Sequence, residues 1–385
     1  MGLIITLGVL AVIFVVSLII ISVFVKYLVL DQNLHDKVSM YKFGDWYYNQ
    51  LTYKEQLMYD EILNSVKKIR DKTKIMPYPY TDEEFENIIT SILNDHPDVF
   101  YFLGYESKLY GNNKKSRVNL YYYANKSTVN DMVKKFDNTV IEIIKEIGDK
   151  NDFETDFDLE VAIHDYIVLR CKNVSVDSEY NYLFNTVYGA LIEKTAYSSG
   201  YSSAFKYLMN KYELLCYIIN GEARGIPHSW NMVYINQNFY NVDVMWNNGN
   251  ISYAEDLLFH AYFNVSNAFI SETHTIPQNI PIPFANTENN YYNVLELYVE
   301  SLDDLKENIN RIIINAAKKG RNYFELFVNF GEDVYNGEEF GSIIITSIRN
   351  INVSSEYPLF TFKEFFRIYR ASETKNILTI QLYPK

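Results

Sequence analysis

Hydrophobic and polar positions divide the chain into an apolar start, a mixed central region and a distinct end. From Gly2 to Val25 no residue is charged, and Leu, Ile, Val and Phe dominate. At a helical rise such a run spans a hydrocarbon core of roughly 30 Å. No basic residue precedes it, and Phe24-Val25-Lys26 is poor cleavage context for a signal peptide. The run therefore predicts an uncleaved anchor over residues 3–25. Residues 31–80 read as a stalk with a helix from Tyr53 to about Arg70, opened by a capping box of Thr52 and Glu55. Thr81 and Glu84 open a second helix, which ends before Pro97. Phe100–Leu103 begins a β region, and Gly111-Asn112-Asn113 is the turn of a hairpin returning through Val118–Tyr123. Two helical stretches follow, near 128–147 and 155–171. Leu215–Ile219, Asn231–Ile235 and Phe239–Val244 then read as consecutive strands.

Pro277, Pro281 and Pro283 mark a linker. Beyond it a strand at Leu295–Val299, a helix at Leu302–Lys319 and a strand at Tyr323–Phe330 precede a hairpin of Phe365–Tyr369 and Ile377–Leu382. That pattern predicts a small α+β domain over residues 290–385, of ferredoxin-like type.

Composition narrows the function classes. The 385 residues carry a formal net charge of −13, which argues against nucleic acid, since phosphate binding needs clustered Lys and Arg. The 35 tyrosines supply half-buried, hydrogen-bonding surface. The spacings of a zinc site, an EF-hand and a Gly-rich phosphate loop are all absent, so neither metal nor cofactor is expected. Cys171 and Cys216 read as small buried core residues. His96 reads as a helix terminator, and His164, His260 and His274 as structural.

Three segments carry the candidate chemistry. Ser198-Ser199-Gly200-Tyr201 opens a helix that runs through Phe205 and Leu208. Next comes Gly225-Ile226-Pro227-His228-Ser229-Trp230-Asn231, and then Tyr240-Asn241-Val242-Asp243-Val244-Met245-Trp246. A hydroxyl at a helix start, an imidazole and a carboxylate thus follow in order. A nucleophile at a helix N-terminus sits in the positive end of the helix dipole. His228 would serve as base, and Asp243 would fix its tautomer.

These motifs resemble the transglutaminase-like, papain-like cysteine enzymes, and look most similar to their bacterial membrane-tethered members. The matching positions are Gly200, Tyr201, His228, Trp230, Asn231, Tyr240, Val242, Asp243 and Trp246, and the resemblance covers roughly residues 85–275. It implies a papain/transglutaminase-like core over residues 81–280, with a helix packed on an antiparallel sheet. The fold class expected for the whole chain is α+β, with an N-terminal transmembrane helix over residues 1–30 and the small C-terminal domain. Ser198, His228 and Asp243 would be the catalytic positions. Gly200, Tyr201, Trp230, Asn231, Tyr240 and Trp246 would support them. Where the family carries its nucleophilic cysteine this chain carries Ser198, so the resemblance implies a degenerate triad. The expected protein is then a pseudoenzyme on the cell surface, single-pass with its C-terminal domains outside the cytoplasm, binding a peptide, cell-wall or protein partner. Two alternatives stay open: an acyltransferase or peptidase using Ser198, His228 and Asp243, and a structural surface spacer.

Overall fold

The computed structural model describes residues 44–174, 179–248, 257–276, 282–285, 289–354, 361–370 and 376–385. Its first two helices begin as their sequence dictates. In α1 (Tyr53–Lys67) and α2 (Asp82–Asp95) the side chain of Thr52 or Thr81 takes the third backbone N–H, and Glu55 or Glu84 reaches back to the cap. Each reciprocal pair satisfies two N–H groups that a helix start leaves open. Far from standing apart, α1 buries Met58, Tyr59, Ile62 and Val66 against the core. Asp95, at the end of α2, draws in the incoming chain by accepting from the backbone N–H groups of Tyr47 (3.1 Å) and Tyr48 (2.8 Å).

A hairpin of β1 (Phe102–Tyr110) and β2 (Lys115–Tyr122) turns through Gly111, Asn112 and Asn113, all at positive φ. Helices α3 (Lys126–Ile147) and α4 (Asp156–Arg170) lead to α5 (Ser198–Lys211), which is packed on the central sheet. That curled sheet has four antiparallel strands: β3 (Leu215–Ala223), β4 (Ile226–Ile235), β5 (Asn238–Val242) and β6 (His274–Thr275). Their order is β5-β4-β3-β6. Asn236 and Gln237, both left-handed, form the tight turn between β4 and β5. Helix α5 buries Tyr201, Ala204, Phe205, Leu208 and Met209. It also buries Lys206, whose ammonium donates to the carbonyls of Gly44 (2.7 Å) and Cys216 (3.2 Å). Cys171 and Cys216 are both free and buried.

The C-terminal sheet combines β7 (Tyr298–Val299), β8 (Tyr323–Val328), β9 (Phe362–Arg370) and β10 (Ile377–Pro384) in the order β9-β10-β8-β7. Helices α6 (Leu302–Lys318) and α7 (Glu338–Val353) complete the unit. The pair β7 and β8 is parallel and β9 follows directly into β10, which is not the βαββαβ order of a ferredoxin-like unit. The first strand is shorter than its composition predicts, because Tyr291–Val294 is helical and Glu296 takes φ 53°.

The fold is α+β, as the pattern predicts. The transmembrane part of the expectation is corrected. No helix among the described residues is long and apolar enough to cross a membrane. Residues 3–25, expected as the anchor, lie outside the described residues. The membrane as a partner, the single-pass topology and the extracytoplasmic placement have no support in this structure.

Helix α4 places Glu160 in a fully buried position, where Asn264 donates to one carboxyl oxygen at 2.9 Å. Burial pushes the Glu160 carboxyl up to about 8, against the Asn264 hydrogen bond and with help from Asp156. The other oxygen, Oε1, and the Asn264 Oδ1 are both buried without a partner. A folded pKa above the unfolded one means stability that is full below about 4.5 and lost as pH rises through about 8. Wild-type protein should therefore lose up to about 1.4 kcal/mol per pH unit over that interval from this group. Urea titrations at several pH values should show Glu160→Gln flattening that slope; an unchanged slope would mean Glu160 is ionised in the fold.

Candidate functional site

Strand parity brings the site together. Side chains alternate across a strand, so His228 and Trp230 of β4 share one face. Asn231 pairs with Val242 and Met232 with Asn241; the next position, Asp243, falls on the face of Trp230 and Asn241. On that face His228 Nε2 meets Asp243 Oδ2 at 2.6 Å. The Trp230 indole N–H donates to Asn241 Oδ1 at 3.1 Å. Opposite His228 lies Gly221, where a Cβ would come within 2.4 Å of the Thr275 carbonyl and 2.8 Å of the Trp230 ring. A side chain there would force apart β3, β6 and the indole.

The aspartate has a second imidazole that sequence reasoning treated as structural. His274 Nε2, from β6, lies 3.0 Å from the same Asp243 Oδ2, and its Nδ1 lies 2.9 Å from Thr273 Oγ1. The other carboxylate oxygen accepts the Trp246 backbone N–H at 3.1 Å. Trp246 packs at 4.6 Å from the His274 ring and 5.7 Å from that of His228. Burial alone would raise the Asp243 carboxyl. The charge of His228 and the hydrogen bonds from both histidines outweigh it and hold the group well below the ordinary carboxylate range.

Ser198 opens α5 beside this pair. Its Oγ accepts from the Ser229 backbone N–H at 3.3 Å, so the serine lies against the residue next to His228. Ser198 and His228 are not directly hydrogen-bonded. The supporting residues fix the helix. Tyr201 donates to the Cys171 carbonyl at 2.8 Å, and Asn231 reaches the carbonyls of Ser202 (2.9 Å) and Tyr217 (3.3 Å), joining helix to sheet. A Cβ on Gly200 would come within 2.6 Å of the Phe184 carbonyl and 2.8 Å of the Ala196 Cβ. Tyr240 is fully buried opposite Val233.

A second buried cluster joins the central fold to the C-terminal sheet. Asp165 Oδ1 meets His164 Nδ1 at 3.0 Å and His260 Nε2 at 2.8 Å, while Arg321 donates to Oδ2. His260 Nδ1 faces Glu325 Oε2 on β8, and Tyr291 stacks on the His260 ring at 3.7 Å. Burial opposes a charge on His260, yet Glu325 and Asp165 hold its pKa up at about 9. By donor type, His228–Asp243–His274 and His164–Asp165–His260 could each hold a metal ion. In both, the spacings are those of hydrogen bonds already made, and in the second Arg321 supplies the cation.

Comparison with known proteins gives little beyond this geometry. No family model matches the chain, and no curated protein matches it. One solved structure, described as a crystal structure of a TGase, aligns at 14% identity over 39% of this chain with a TM-score of 0.27. The likeness is remote. The chain spans only 45% of that protein's length, and at such a score the alignment assigns no residue a role. Two expectations are corrected accordingly. Ser198 is not shown to replace a cysteine; it is a serine at the start of α5. The surface-bound, inactive pseudoenzyme that binds a peptide, wall or protein partner rested on that replacement and on the anchor, and neither is supported.

Proposed function

We propose that Ser198, His228 and Asp243 work together on an acyl group, with the Ser198 hydroxyl as nucleophile, His228 as general base and Asp243 as its orienting carboxylate. The observation that carries this reading is the asymmetry of His228. Its Nε2 is closed by Asp243 at 2.6 Å, whereas its Nδ1 makes no hydrogen bond among the described residues. A neutral imidazole that gives its Nε2 proton to a carboxylate presents Nδ1 as a base. Ser198 Oγ accepts from a backbone N–H, which leaves its own proton free to donate. Hydrogen bonds between nucleophile and base are often long in unliganded sites.

In the first step the Ser198 proton passes to His228 Nδ1 as Oγ bonds to the acyl carbon. The bond to the leaving group then breaks, and that group takes the proton from His228. Water repeats the sequence, freeing the acid and restoring Ser198. Charge developing on the acyl oxygen near the start of α5 is favoured by the positive end of the helix.

A fluorophosphonate probe tests the reading. Wild-type protein should label, and Ser198→Ala and His228→Ala should not. A folded wild type that stays unlabelled, or label retained in Ser198→Ala, would refute it.

A further inference from the structure

The C-terminal unit holds a cavity of about 270 Å³ whose lining includes no residue of the Ser198 site. Leu295, Leu297, Ile312 and Phe324 give it an apolar wall, with Tyr291 and Tyr323 beside them. The charged residues of the lining are Arg311, Lys318, Lys319, Arg321 and Glu325. Four of the five are cations, in a chain whose formal net charge is −13. The one acid is buried and engaged: Glu325 accepts from the His260 backbone N–H at 2.9 Å and the Tyr292 hydroxyl at 3.1 Å, and its other oxygen faces the His260 ring. The cations are within reach of a ligand. Lys318 and Lys319 are exposed, and the Arg311 and Arg321 side chains are 36% and 26% exposed. Of its five N–H groups Arg321 gives one to Asp165 and one to the Tyr291 hydroxyl at 3.4 Å, so three stay open.

Lysines at a helix end ordinarily answer its open carbonyls. At the end of α6 the carbonyls of Asn315, Ala316 and Ala317 already accept from the backbone N–H groups of Lys319, Gly320 and Arg321. Arg311 is answered by Glu296 at 3.1 Å, Arg321 by Asp165 and His260 by Glu325. Lys319 is answered by no acid among the described residues. One positive charge to spare, beside an apolar wall, matches one negative charge on an apolar body. We infer that this cavity binds a monocarboxylate with a short unbranched chain, its carboxylate drawn to Lys319 and Arg321 and its chain laid along Leu295, Leu297, Ile312 and Phe324. Arg321, Tyr291 and Glu325 also belong to the buried cluster that joins the C-terminal unit to the central fold. A ligand held there binds only the joined form and so stabilises it. The inference is independent of the chemistry read for Ser198.

The probe is octanoate, with binding to the full chain measured by titration calorimetry. Hexanoate should bind about fifteenfold more weakly, since each buried methylene changes affinity about fourfold. Octan-1-ol, which has the chain without the charge, should bind about tenfold more weakly than octanoate. Lys319→Glu reverses the spare charge at an exposed position and should lower octanoate affinity about tenfold. Ala316→Phe fills the cavity from α6 and should abolish binding; circular dichroism checks that it folds, and Lys319→Glu carries the test if it does not. Saturating octanoate should raise the urea midpoint of the wild type and not that of Lys319→Glu at the same concentration. No binding of octanoate, equal affinity for octan-1-ol, or affinity unchanged by Lys319→Glu would each overturn the site.

Discussion

Asp165→Ala should destabilise the protein by about 3–5 kcal/mol, the cost of removing one partner from a buried ion pair. The carboxylate has three partners at once: His164, His260 and Arg321. Its loss leaves the Arg321 guanidinium without its anion and His260 with Glu325 alone. Urea unfolding gives the number, and a double-mutant cycle with Arg321→Leu isolates the pair: the double variant should be less unstable than the two single costs summed. The pH dependence has a defined sign. His260 is raised from 6.5 to about 9, so its contribution is full below about 6.5 and lost as pH rises through about 9. Asp165 is held far below the ordinary carboxylate range by His260, His164 and Arg321 despite its burial. Its contribution is present above about 4 and lost as pH falls. In Asp165→Ala the alkaline loss should shrink. A single-variant cost below 1 kcal/mol would mean that water reaches the cluster.

The second large effect concerns rate. In Asp243→Asn one acceptor oxygen that serves two imidazoles is replaced by an amide with one oxygen and one NH₂. An NH₂ facing His228 Nε2 selects the tautomer protonated on Nδ1, which cannot accept the Ser198 proton. Fluorophosphonate labelling should fall by about a thousandfold to ten-thousandfold, the scale for losing the tautomer that an orienting carboxylate enforces. His274→Gln keeps a donor toward Asp243 and should cost far less. Its distinguishing effect is a shift of the labelling pH profile, since the carboxylate then serves His228 with one fewer ionisable neighbour. A labelling rate in Asp243→Asn within tenfold of wild type would remove Asp243 from the site.

Local elements are legible in the sequence where their signals are local. Thr52 with Glu55 and Thr81 with Glu84 mark two helix starts, and both capping boxes form. His228 and Asp243 are legible as a pair because strand alternation places both on one face. What is missed depends on distant partners. Glu160 has no local signal for burial; it is buried because Asn264 comes to meet it. His274 has no local motif, and its role depends on β6 pairing with β3 beside His228. Helix α7 places Phe340, Ile344, Ser347, Ile348 and Ile351 inward at helical spacing, but Ile343-Ile344-Ile345-Thr346 has the β-branched composition of a strand. Lys206 likewise occupies a helix position that faces the core, where composition alone would place it in solvent.

The Asp165 cluster also bears on what happens if the backbone is cut. Glu325 belongs to the C-terminal sheet and Arg321 to the segment that leads into it, and their partners His260 and Asp165 to the central fold. Protein nicked between residues 276 and 282 should therefore stay together as a tight two-fragment complex, eluting from gel filtration as the intact chain does. Expressed alone, the central fragment keeps His260 on Asp165 but loses Glu325 and Arg321, and the C-terminal fragment carries Arg321 and Glu325 without the groups they meet across the join.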